Sequence, residues 1–369
     1  MRAHRMRSNV ITALFVGLLA LAGCQGGPAS APAATAKPPP SGVTLIASPD
    51  AWGGQVRCAV GGCKLALVEH EKGQLVVQRL EGRAVQPLAR HELAYHPDSA
   101  AWLNDELVVA AVEGSSSLDI FRLDGERLVP VQQIQIATQP RDVVVLPAAA
   151  GAGAAGSFDL LATPYGGDKA IWVTVAPGSS TPATVQPARA CQAPWHPAPV
   201  VRAPGRAQAG VAVGCLDDKR VMWLPQAAPH EPAVELARFK NVPRQVRPSP
   251  SGKWLYVALE LGGSNARIDM DTGDIQHITA LPTGNVAVAP LADDLVVWGD
   301  SWRLMLQRLD ARGQVLETRW LPTTGFSTSV QLIDVDGDGE LDAVVLNSAG
   351  PTSDMIYGPL WQRAGTQRP

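Results

Sequence analysis

The sharpest chemical signal in the chain is a run of acidic side chains near its C-terminal end. Asp334, Asp336, Asp338, Glu340 and Asp342 lie inside Leu332–Val345, with Gly339 between them. Counting from Asp334, aspartates occupy positions 1, 3, 5 and 9, and Gly339 sits at position 6. A hard cation such as Ca²⁺ takes about six to eight oxygen ligands at short range. Four carboxylates this close repel one another strongly unless a cation lies between them. The glycine permits a sharp turn, and the Glu340 carbonyl offers a further oxygen. The expectation is one Ca²⁺ held by Asp334, Asp336, Asp338, Glu340 and Asp342, structural in role, pinning a hairpin. The loop is not an EF-hand, because its twelfth position is Val345 and its flanks read as strands.

Other chemistry is thin. His91-Glu92-Leu93-Ala94-Tyr95-His96 places two histidines five apart, not four, at a strand end and not on a helix, so it reads as a solvated connection. No G-x-S-x-G nucleophile elbow, dinucleotide fingerprint or P-loop occurs. No catalytic residue is assigned. Glu69 and Glu260 follow second strands and read as polar rim residues that face a central channel. Ten tryptophans accompany only four tyrosines. Trp102, Trp172, Trp223, Trp254, Trp298 and Trp320 fall in or beside strand-like runs and are expected to pack between sheets. Trp52, Trp195, Trp302 and Trp361 lie nearer loops or ends and are candidates for an aromatic surface.

The N-terminus reads as a targeting segment. Arg2, Arg5 and Arg7 precede the apolar run Ile11–Leu21, which ends in small residues before Cys24. Leu21-Ala22-Gly23-Cys24 resembles the lipobox of bacterial lipoproteins. The resemblance implies a signal peptide over 1–23, lipidation of Cys24 and anchoring in the membrane; Gln25 after the cysteine implies the outer membrane. Residues 24–42 are mostly Gly, Pro, Ala and Ser and read as a flexible tether. Removing the three arginines leaves 28 basic residues against 34 acidic ones, a formal charge of −6. That balance argues against a nucleic-acid partner and gives no polybasic membrane patch.

Four further cysteines in an exported chain favour disulfides, with three possible connectivities. Cys58 and Cys63 flank a Gly-Gly turn and are placed to bridge across it. That leaves Cys191 with Cys215.

The elements that position these residues are short strands. The regular stretch Val242–Gly273 holds Q-V-R-P-S-P-S-G-K-W-L-Y-V-A, and Q-V-R-C-A-V-G-G-C-K-L-A-L-V at Gln55 repeats its order of strand, turn and strand. First strands recur near 55, 99, 142, 198, 244, 285 and 328, mostly 40–46 residues apart, with an alanine-glycine insertion at Ala148–Gly156. About four strands per unit at this period means propeller blades. The expected fold is all-β: a β-propeller of seven four-stranded blades over 43–369, its ring closed by the N-terminal strand Val43–Ser48. Val242–Gly273 resembles a blade of the YVTN, lactonase-like or TolB-like propellers, and Leu332–Val345 resembles the FG-GAP/VCBS repeats of integrin-like propellers. The first likeness implies a fold and no chemistry.

The expected function is that of a lipid-anchored extracytoplasmic binding or scaffold protein for a protein or carbohydrate partner. A propeller enzyme of lactonase or hydrolase type, with a metal at the central channel, is the alternative. An envelope-assembly lipoprotein is a second one. An enzyme would bring carboxylates, Asn or His together at the channel mouth, whereas a scaffold would show a broad loop-built face.

Overall fold

The computed structural model describes residues 42–147, 156–164, 166–279 and 283–366. The expected signal peptide, the expected lipidation at Cys24, nearly all of the expected tether and most of the alanine-glycine insertion lie outside the described residues.

Twenty-six strands form six sheets. The first is Ala51–Ala59, Gly62–Glu69, Gln74–Glu81 and Ala84–Glu92, paired antiparallel in chain order. The second spans Pro97–Gln135, the third Pro140–Arg189, the fourth Pro194–Arg238 and the fifth Val242–Thr279, each with four strands in the same order. The middle strands read as unbroken apolar runs, such as Leu107–Val112 and Gly210–Cys215, because both faces are buried. Outer strands such as Thr184–Arg189 are largely exposed.

The count of seven is corrected to six. The sixth sheet has six strands, in the order Val43–Ala47, Thr352–Ile356, Asp342–Asn347, Val315–Ile333, Leu295–Leu309 and Ala287–Pro290. It absorbs the residues expected to make separate sixth and seventh blades. One long strand, Val315–Ile333, runs through the expected boundary with a register shift at Ser327/Ser329, and its partner Leu295–Leu309 is shifted at Ser301/Arg303. The seventh blade is expected to begin near residue 328, but the chain stays extended before it, through Thr323 and Thr324. The Thr324 N–H and hydroxyl both donate to buried Asp354. Val43–Ser48 therefore does not complete a separate seventh blade. Val43–Ala47 is the edge strand of the six-stranded sheet, in register from Val43↔Ile356 to Ala47↔Thr352.

Sheets meet face to face through buried apolar clusters. Leu75, Trp102 and Phe121 join the first and second sheets. Trp172, Val211 and Leu224 join the third and fourth, and Tyr256, Trp298 and Met305 the fifth and sixth. Ile46, Leu65, Val344 and Tyr357 join the sixth back to the first. Gln331 adds to that seam, donating to the Gly54 carbonyl and accepting from the Val56 N–H. A further cluster packs the Ala287–Leu321 half of the sixth sheet against its Val330–Ile356 half. Of the tryptophans expected in cores, Trp102, Trp172, Trp223, Trp254 and Trp298 are buried, and Trp320 is partly buried.

Both disulfides are formed, Cys58–Cys63 and Cys191–Cys215. Their presence indicates an extracytoplasmic protein. No helix of the described residues is long and apolar enough to cross a membrane.

Candidate ligand site at the channel mouth

The first strand of each of the first five sheets carries a β-bulge at its start, and a matching one lies inside Val315–Ile333 of the sixth. Register shifts fall between Ala51/Gly54, Pro97/Ser99, Pro140/Asp142, Trp195/Ala198, Pro243/Gln245 and Ser327/Ser329. A bulge sets two residues against one and re-aims a side chain. Here it is repeated around the ring. It turns Trp52, Asp98, Arg141, Trp195, His196 and Arg244 toward one cavity of about 60 Å³ on the channel axis. Glycine is required beside Trp52: a Cβ on Gly53 would stand 2.5 Å from the Asp98 carbonyl oxygen. The channel continues as a wider space of about 480 Å³ walled by small and apolar residues, among them Ala100, Val144, Pro199 and Val330. Charge and aromatic surface are thus concentrated at one end.

Two interlocked groups make up the mouth. In one, His196 Nδ1 lies 3.0 Å from Asp142 Oδ2, and the Ser99 hydroxyl donates to Asp142 Oδ1 at 2.6 Å. Burial alone would raise the Asp142 pKa, but the bonds from His196 and Ser99 and the charge of Arg247 outweigh it, so the carboxyl is held below its ordinary range. Burial lowers the His196 pKa against the opposing pull of Asp142. The imidazole is therefore neutral. Its Nδ1 donates to the carboxylate, which leaves the Nε2 lone pair free to accept a proton. His196 has φ +44, a left-handed conformation that is costly for a non-glycine residue.

The other group is a ladder of rings and guanidiniums. The Arg244 guanidinium lies 4.0 Å from the Trp195 ring centre, and Arg141 lies 5.3 Å from Trp195 and 5.6 Å from Trp52. Trp195 stacks on His196, and Trp52 packs against His70. Carboxylates hold the cations: Arg141 is 3.6 Å from Asp98 and 3.7 Å from Glu113, and Arg244 is 3.6 Å from Glu260. Burial, reinforced by the neighbouring charge of Asp98, raises the Glu113 pKa. Glu260, read as a rim residue, is thus tied to the mouth, while Glu69 pairs with Lys72 at 3.0 Å.

The acidic loop is at the far end. The strand half that begins beside Phe326 and Thr328 at the mouth cavity ends at Ile333, and the loop follows. Asp334, Asp336 and Asp338 converge, with one carboxylate oxygen of each within 4.8 Å of the others. Asp342 does not join them. It is fully buried, and its oxygens accept from the Val335 N–H at 2.8 Å and the Gly358 N–H at 2.7 Å. Glu340 is exposed on the turn. The sulfurs of Cys58 and Cys63 lie 3.8–4.0 Å from the Asp334 and Val335 carbonyl oxygens, so the first-sheet hairpin braces the loop.

Of the two histidines in the sequence motif, His91 packs on Phe121, while His96 stacks on His70. Trp52 and Trp195 line the mouth, Trp302 is 58% exposed, and Trp361 packs beneath Arg308 and Arg319. Sequence reasoning missed Asp98, Arg141, Asp142, His196 and Arg244 as a group. The available signal was their shared position at the start of each first strand.

No family model and no curated protein sequence matches the chain. Solved structures do match in fold. A catalytically inactive virginiamycin B lyase from Staphylococcus aureus, solved with quinupristin, has a TM-score of 0.62 at 9% identity, covering 86% of this chain and 99% of that one. A putative 6-phosphogluconolactonase from Bacteroides uniformis has a TM-score of 0.56 at 16% identity, covering 82% of this chain and 88% of that one. The WD40 β-propeller domain of Doa1 has a TM-score of 0.57 at 12% identity, covering 86% of this chain and 98% of that one. At these identities the likeness shows the β-propeller fold alone, and it spans enzymes and a WD40 domain alike.

Proposed function

We propose that this is a lipid-anchored extracytoplasmic binding protein whose ligand, a protein segment or carbohydrate, docks on the mouth end of the channel. One observation supports the reading above others. The charged and aromatic mouth is ringed by exposed apolar side chains at the same end, Tyr95 and Leu261 on connections and Trp302 within the strand Leu295–Leu309: Tyr95 is 65% exposed, Leu261 72% and Trp302 58%. Apolar groups around polar anchors are the anatomy of a recognition surface. Trp52 and Trp195 supply planar faces and Arg141 and Arg244 supply donors, and either ligand class uses both. The Cys24 lipid and the tether would tie the propeller to the membrane. Calcium at Asp334, Asp336 and Asp338 would stabilise the opposite end without touching ligand.

The Asp142–His196 pair favours a second reading, a propeller enzyme of lactonase or hydrolase type in which His196 Nε2 acts as general base. Affinity capture from detergent-solubilised envelope separates the two. The wild-type protein is expected to retain a reproducible partner or glycan that a Trp195→Ala/Arg244→Ala variant loses and a His196→Gln variant keeps. Equal capture by the wild-type and Trp195→Ala/Arg244→Ala proteins would remove the mouth as the binding surface.

A further inference from the structure

We infer that His70, His96 and Glu71 form a transition-metal site beside the channel mouth, of the two-histidine, one-carboxylate kind that suits zinc. His70 and Glu71 lie in the turn between Gly62–Glu69 and Gln74–Glu81, and His96 lies in the connection from the first sheet to the second. One ligand atom from each lies within 4.8 Å of the other two. Imidazole and carboxylate together select zinc and its neighbours over calcium or magnesium.

The surroundings of His70 support this independently. Its Nδ1 donates to the Pro97 carbonyl at 3.2 Å, with Asp98 Oδ1 3.0 Å away as a charge neighbour outside hydrogen-bond alignment, so Nδ1 carries the hydrogen and the Nε2 lone pair is left for a ligand. Metal-binding histidines are held in this way, by a carboxylate or carbonyl on the other ring nitrogen. Asp98 is 5% exposed, and neither carboxylate oxygen has a hydrogen-bond partner of good geometry among the described residues. A buried carboxylate needs a counter-charge. Arg141 supplies part of it at 3.6 Å but is shared with Glu113. A metal on His70 would supply the rest through the ring.

His96 is held at φ +54, a strained conformation for a non-glycine residue, and its ring is laid on His70 with centroids 4.1 Å apart. The rings are nearly parallel, at 22°. Zinc sits about 2.0–2.1 Å from a histidine nitrogen and in the plane of its ring, so binding swings His96 out of the stack. His96 is only partly buried and Glu71 is exposed, so both side chains have room to move. The ion would keep a position open to solvent, as three-ligand zinc sites do. This inference does not depend on the ligand-binding reading above.

The test uses the full chain without added histidines. Zinc bound after equilibrium dialysis is counted, and Co²⁺ is added to a second sample to read its visible absorption. One zinc per chain is expected, retained in a hundredfold excess of Ca²⁺. His96→Gln and Glu71→Gln are surface changes that leave the buried His70–Asp98 pair intact, and each should weaken zinc by about 10-fold or more. Asp98→Asn, acting through His70, should weaken it by about 10–100-fold. Co²⁺ bands should vanish in His96→Gln and persist in Asp334→Asn. Zinc uptake that is absent at micromolar concentration, or unchanged in both His96→Gln and Glu71→Gln, would overturn the assignment.

Discussion

Asp142→Asn is the most informative single change at the mouth. The wild-type carboxylate accepts from the Ser99 hydroxyl at 2.6 Å, the Val143 N–H at 2.9 Å and His196 Nδ1 at 3.0 Å, with Arg247 as a nearby charge. An asparagine keeps one acceptor oxygen and brings an NH₂ that faces a donor. Its side chain would be 16% exposed, so water does little to replace what is lost. Losing hydrogen bonds to a largely buried charged acceptor costs about 1.5–3 kcal/mol. The pH dependence has a definite sign. The His196 pKa is lowered from 6.5, so the unfolded chain takes up that proton first, and this stability is present above 6.5 and declines as pH falls below it. The Asp142 pKa is lowered from 3.8, so its contribution is present above 3.8 and is lost as pH falls further. Without Asp142, nothing offsets the burial of His196, and the loss between pH 7 and pH 5 should steepen toward the limit of about 1.4 kcal/mol per pH unit for one proton. Urea unfolding followed by tryptophan fluorescence at both pH values measures this, with NMR titration of His196 alongside. A variant within about 0.5 kcal/mol of wild type at pH 7 would refute the coupling. So would a wild-type His196 that titrates at or above 6.5.

Removing calcium with a chelator should lower the melting temperature of the wild type and leave Asp334→Asn unaffected; identical wild-type melts with and without calcium would exclude the ion. Asp342→Ala should instead cost about 2–4 kcal/mol whether or not calcium is present, because it strands the buried Val335 and Gly358 N–H groups. Arg267 is 1% exposed and donates to Gln276 and to the Asp293 and Asp310 carbonyls while lying 4.0 Å from the Trp254 ring. Arg267→Met should therefore destabilise by about 3 kcal/mol or more in thermal or denaturant unfolding. Replacing Cys191 and Cys215 with serine should cost about 3 kcal/mol, more than the same change at Cys58 and Cys63, because the closed loop is longer, 24 residues of separation against 5.

What the sequence made legible was local. The Gly61-Gly62 turn set Cys58 opposite Cys63, and the pairing of those two residues follows from the hairpin register. The recurring first strands carried the propeller fold and the positions at which the bulges occur. The blade boundary expected before residue 328 misled because the spacing of first strands does not show that the backbone there stays extended, held by Asp354, thirty residues away from Thr324. The acidic spacing marked the loop in which Asp334, Asp336 and Asp338 converge, whereas the Val335 and Gly358 N–H groups on Asp342 are brought to it by folding. The mouth was illegible for a similar reason. Asp142 and His196 lie 54 residues apart, and each by itself resembles an ordinary polar residue beside a strand. Only a ring that brings every first strand to one axis shows that they meet.

The same ring explains why the mouth is lopsided. The first five sheets deliver Trp52, Asp98, Arg141, Trp195, His196 and Arg244 to it, whereas the sixth delivers Val286, Phe326, Thr328 and Ser329. The uncharged sector adjoins the stretch of Leu295–Leu309 that carries Trp302, since Ser301 pairs with Phe326. Trp302 sits at φ +65, a strained conformation that projects an indole into solvent. A ligand with one apolar edge and one polar edge would lay the first over Trp302 and Phe326 and the second against Arg141 and Arg244. Trp302→Ala should then weaken ligand retention without altering stability, because an exposed side chain contributes little to folding. Trp195→Ala should reduce both, since its ring also holds Arg244 and His196 in place. If Trp302→Ala retained ligand as well as the wild type, the apolar sector would be a wall of the channel and not part of the binding face.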